Sequence, residues 1–104
     1  MGWFFLCLAG LLEVGWAIGL KYSEGFSRLW PSAWTVLAMI ASFYFLALGL
    51  KTIPVGTGYA VWTGIGAVGT ATLGIALFAE PTTLPRLISL ALIVLGILGL
   101  KASS

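Results

Sequence analysis

Few side chains in this sequence could do chemistry, and the one that stands apart is Glu13, near the middle of the apolar stretch 6–20. A carboxylate in hydrocarbon is costly, so it faces a bundle interior or a water-filled path and takes a proton or a cation as its partner. Every other acidic or basic residue falls in a segment expected at or outside a membrane boundary. The chain has no His, Asp, Asn or Gln. That removes His-containing metal sites, Ser–His and Cys–His nucleophile pairs and paired aspartates. Glu13, hydroxyls, indole N–H groups and backbone are the polar equipment left for a membrane interior. An enzyme is hard to build from that list, and neither a cofactor nor a metal is expected. Transport of a proton or cation at Glu13 is.

On a helix, residues three and four apart share a face, which sets Gly10 and Trp16 beside Glu13. Ala9 and Gly10 leave space either for a ligand or for a closely packed neighbouring helix. Ser42 is the mid-span polar residue of the second apolar run, at a depth similar to that of Glu13. Its hydroxyl is expected to donate to the carboxylate, the alternative being a bond back to its own helix. Met39, Phe43 and Leu46 flank it as a wall. In the third run Tyr59, Trp62, Thr63 and Gly66 share a stripe. Trp62 lies about 10 Å inside its helix, too deep for an interfacial aromatic belt, and its N–H needs a partner. A pocket wall is the preferred reading, with core filling as the other. Gly64 and Gly66 bracket Ile65 and suggest either a hinge or tight packing. Ser89, Gly96 and Gly99 form a shallow small-residue notch suited to helix association, between subunits or within one chain.

These residues must be positioned by membrane helices. The 104 residues are 61% hydrophobic and 8% charged, with a mean hydropathy of +1.13. That composition excludes a soluble domain and predicts an all-α integral membrane protein of one domain, 1–104. A net charge of +2, scattered along the chain, gives no footing for nucleic acid. The lone Cys7 cannot make an intrachain disulfide. Four apolar runs predict four transmembrane helices, at approximately 3–20, 32–50, 55–79 and 85–100, with all four prolines in the breaks. The first is about 27 Å long, close to the thickness of a bilayer core. The third, at about 37 Å, must tilt or bend. No basic leader precedes the first run and Glu13 interrupts it, so it reads as a retained helix and not as a signal peptide.

Alternating spans place Lys51, Lys101 and the N-terminus on one side, with Lys21, Arg28 and Arg86 on the other. So even a division gives the positive-inside rule little to act on, and insertion in both orientations is a real option beside a weakly biased single one. Four helices with one carboxylate are too few for two inverted repeats. A second copy in the opposite orientation would supply the symmetry, which ties the charge balance to a homodimer.

Three segments carry a resemblance: Gly10-Leu11-Leu12-Glu13-Val14-Gly15-Trp16-Ala17, Leu20-Lys21-Tyr22-Ser23-Glu24-Gly25-Phe26, and the run from Pro54 through Gly58-Tyr59-Ala60-Val61-Trp62-Thr63-Gly64-Ile65-Gly66. Over essentially its whole length the chain resembles the small multidrug resistance transporters. The resemblance implies an antiparallel homodimer in the bacterial inner membrane that exchanges a cation for protons at a shared Glu13 pair. Trp16-Ala17 is similar to the guanidinium-exporting branch, whereas the branch exporting bulky quaternary ammonium compounds has a Gly-Thr type pair there. By the same resemblance Trp16, Ser42, Tyr59 and Trp62 line or bond the Glu13 pair. Gly58 departs from the family's usual Ala. Guanidinium is planar, weakly hydrated and offers paired N–H donors to carboxylates. A broad exporter of hydrophobic or quaternary ammonium cations is the alternative within transport. A non-transporting small membrane subunit that pairs with a larger partner is the alternative outside it.

Overall fold

A computed structural model describes residues 1–103 and contains four α-helices: α1 (Gly2–Ser23), α2 (Leu29–Gly49), α3 (Val55–Phe78) and α4 (Leu84–Ala102). Each is long and apolar enough to cross a membrane. The chain is a multi-pass membrane protein. α1, α2 and α4 each extend past the expected stretch at one end or both, because flanking polar residues also accept helical backbone, whereas α2 and α3 each end one residue short of it. α1 continues through Lys21-Tyr22-Ser23. It closes with Glu24, Gly25 and Phe26 all at positive φ, Gly25 at 73°. The buried Ser23 hydroxyl holds this turn, donating to the Leu20 carbonyl at 2.8 Å and accepting from the Phe26 N–H at 3.2 Å.

Two of the four prolines are placed differently from the expectation. Pro31 falls in the first turn of α2, and Pro85 in the first turn of α4. Both positions lack an intrahelical N–H partner in any case, so the ring costs nothing there. Pro54 caps α3, and Pro81 lies in the break before α4.

α1 is the central element. It packs along both α2 and α3, while α4 lies along α3. Glycines set the close approaches: a methyl group built on Gly19 would overlap the Thr35 hydroxyl, and one on Gly69 would overlap Val14. Successive contacts of Leu6 with Gly58, Gly10 with Ile65, Glu13 with Gly66 and Val14 with Gly69 show α1 and α3 running parallel in a fixed register. Leu6, Ile53 and Val61 form the buried cluster at the N-terminal end of α1, joined by Trp3, Leu46 and Ile97. The Cα trace measures 41 × 35 × 16 Å. The chain is flattened, and α4, which packs along α3, has no buried residue.

Candidate functional site

The site is assembled where α1, α2 and α3 meet at mid-span. α2 presents Ser42, fully buried, whose hydroxyl donates to the Ala9 carbonyl of α1 at 2.7 Å. The same oxygen accepts the indole N–H of Trp62 from α3 at 3.0 Å. This corrects the expectation that Ser42 donates to Glu13. Ser42 ties three helices together instead, and its single proton is already committed to a backbone carbonyl. Trp62, only 6% exposed, finds in Ser42 the partner its N–H needs.

Aromatic rings extend from this bond in a continuous row. Trp16 meets Phe43 edge to face at 6.3 Å between centroids, and Phe43 meets Trp62 at 5.7 Å. Tyr59 leans on Trp62 at 5.6 Å but is 57% exposed, so it stands at the rim of the row.

Glu13 presses its carboxylate onto the backbone of α3 at Gly66, where a methyl group would collide with it. Its Oε1 is buried and accepts no hydrogen bond. The Trp16 indole N–H, one turn further along α1, is likewise buried and donates to nothing. An acceptor and a donor three residues apart on α1 are thus both unmatched, each costing the chain free energy while unpaired.

Other positions sort by what they touch. The space at Gly10 is occupied by the Ile65 side chain, so it goes to helix packing and is not left open for a guest. α3 runs unbroken through Gly64 and Gly66. A methyl group at Gly64 would meet Ile97 at 2.9 Å. Both glycines serve close contact in this conformation. On α4, Ser89 is exposed and donates to the Pro85 carbonyl at 2.8 Å, and Gly96 and Gly99 face open space. None of the three touches the mid-span site. Sequence reasoning passed over the Thr70 hydroxyl of α3, buried and without a partner. The signal available was its spacing: Trp62, Gly66 and Thr70 recur every four residues on one face.

The family model described as Small Multidrug Resistance protein matches residues 1–93. The chain belongs to the small multidrug resistance family. Curated relatives carry the resemblance over the full length. A protein of Yersinia pseudotuberculosis named guanidinium exporter is 62% identical over 104 residues, covering all of both chains. Its namesake in Escherichia coli K12 is 64% identical over all of this chain and 99% of its own. The one in Salmonella typhimurium is 59% identical over the same shares. For a small multidrug resistance protein, a mid-span carboxylate with a buried, unpaired oxygen, on the helix that carries Trp16, can hold a cation by charge and hydrogen bonds.

Proposed function

We propose that this chain is a proton-coupled antiporter that exports guanidinium, and small substituted guanidinium cations, across the bacterial inner membrane. One observation carries the reading: Glu13 Oε1 is buried at mid-span with no donor from its own chain. A guanidinium ion brings what is missing, being a delocalised cation with paired N–H donors that matches a carboxylate edge to edge. Its weak hydration lowers the cost of carrying it into the membrane. The names of the relatives support this choice of substrate.

In this mechanism Glu13 holds either a proton or the cation. The faces of Trp16, Phe43 and Trp62 flank the flat guest. Ser42 fixes Trp62, and Tyr59 closes the outer end. Protons and guanidinium exclude one another, so a carrier that changes sides only when loaded converts an inward proton gradient into outward flux. α4 is apolar, packs along α3 and has no buried residue, which favours a homodimer. The near-even charge of its two ends favours an antiparallel pair sharing two Glu13 side chains. Ser89, Gly96 and Gly99, open on α4, supply a surface for contact between the copies. Gly64 is the hinge candidate.

Reconstitution of the purified chain in liposomes tests the proposal. Guanidinium uptake driven by a proton gradient is expected from the wild-type chain and not from Glu13→Gln. Coupled uptake by Glu13→Gln would refute the mechanism. A silent wild-type chain would favour the small-subunit alternative, and equal competition by tetraalkylammonium would favour the broad exporter.

A further inference from the structure

The polar atoms at mid-span do not balance within the chain, and the imbalance has a direction. A guanidinium ion offers only donors, so a site that selects it must supply acceptors. Ser42 has given its proton to Ala9 and accepts from Trp62. Trp16 Nε1 is a donor and cannot serve the cation directly. Two buried oxygens are left without partners: Glu13 Oε1 and Thr70 Oγ1.

Thr70 is unusual on its own helix. The hydroxyls of Thr63 and Thr72 bond back to the carbonyls of Tyr59 and Val68, at 2.9 and 2.8 Å. That is the default for threonine within a helix, and it leaves nothing to explain. Thr70 makes no such bond although its oxygen is buried. Its place is fixed by its neighbours. Gly66, one turn before it, carries the Glu13 carboxylate, and Gly69, immediately before it, carries Val14. Trp62, Gly66 and Thr70, four residues apart, therefore share one stripe of α3: the indole bonded to Ser42, the bare backbone under the carboxylate, then a buried hydroxyl without a partner. At 1.5 Å per residue, Thr70 lies about 6 Å along the axis from Gly66, close to the span of a guanidinium ion seated on a carboxylate.

We propose that Thr70 is a specificity-determining residue of this site, its hydroxyl oxygen accepting an N–H of the guanidinium-class cation that Glu13 holds. The inference rests on the guanidinium reading above. It adds an acceptor that a quaternary ammonium ion, lacking N–H groups, could not use.

Binding of guanidinium chloride to the purified full-length chain in detergent, measured by calorimetry, decides it. Valine matches threonine in shape without the hydroxyl, and serine keeps the hydroxyl without the methyl, so the two roles rank the variants oppositely. An acceptor role predicts that Thr70→Val weakens binding about tenfold or more while Thr70→Ser stays within about threefold of wild type. Thr70→Ala, which cannot overpack, is expected to weaken binding as valine does. Wild-type affinity in Thr70→Val or Thr70→Ala, or a loss in Thr70→Ser as large as in valine, overturns the proposal. A wild-type chain that binds no guanidinium overturns the substrate reading itself, and this inference with it.

Discussion

Trp62 donates its indole N–H to the Ser42 hydroxyl at 3.0 Å, and that hydroxyl donates in turn to α1 at Ala9. Three helices are joined through one oxygen. Removing it with Ser42→Ala leaves a buried indole N–H unpaired. A loss of about 1 kcal/mol is expected, in line with polar contacts between membrane helices. Thermal unfolding in detergent checks it, and a double-mutant cycle with Trp62→Phe is expected to show that the two losses do not add.

Gly66 and Gly64 make different predictions although they stand two residues apart. Gly66→Ala drives a methyl group into the Glu13 carboxylate. Guanidinium binding is expected to fall by at least an order of magnitude, before any effect on helix bending is felt. Gly64→Ala meets the outer atoms of the Ile97 side chain, at 2.9 and 3.1 Å, with Ile93 in ordinary contact at 3.5 Å, and Ile97 can rotate away. That variant is expected to bind normally, and slower transport by it would then report a hinge. Parallel calorimetry and liposome flux separate the two steps.

In the proposed mechanism, competition at Glu13 fixes the sign of the pH dependence. The cation needs the ionised form, so acid loads the site with protons and displaces it. The apparent Kd is expected to rise as pH falls, by about tenfold per pH unit for each proton displaced, and to level off in alkaline solution. Equal affinity in mildly acidic and alkaline buffers would contradict the exchange mechanism.

Two glycines of α1 are expected to respond oppositely to alanine. Gly15 has nothing within reach of an added methyl group, whereas at Gly19 the methyl would overlap Thr35. Gly15→Ala is expected to stabilise the helix by about 0.5–1 kcal/mol. Gly19→Ala forces α1 and α2 apart and is expected to cost about 1–3 kcal/mol. Midpoints of thermal unfolding compare them directly.

The ion pair of Arg86 with Glu80, 2.5 Å long, joins α4 to the end of α3, and both side chains are partly exposed, at 30% and 41%. Screening and side-chain entropy limit such pairs to about 0–1 kcal/mol. Glu80→Gln is expected to leave both stability and guanidinium flux close to wild type.

The four spans and the family were legible because apolar runs of helix length, and the segments around Glu13 and Tyr59, carry their meaning along the chain. Glu13 was legible for the same reason: an acid among leucines needs no neighbour to be conspicuous. The partners of the polar atoms were not. Whether Ser42 turns to Glu13, to its own helix or to Ala9 depends on the offset between α1 and α2, which glycine contacts such as Gly19 with Thr35 determine in space. The same holds at Gly10, where only the register of α3 shows that Ile65 fills the gap. Thr70 was hidden by its ordinariness, since a helical threonine usually satisfies itself.

The attachment of α4 to α3 has a consequence for how the protein is made. Ala9, Glu13, Trp16, Ser42, Trp62, Gly66 and Thr70 all precede the end of α3 at Phe78. The ribosome has therefore finished every one of these parts before it begins the closing quarter of the polypeptide. A nascent chain halted after α3 would already possess its own share of the recognition apparatus, and would lack only the outer stave.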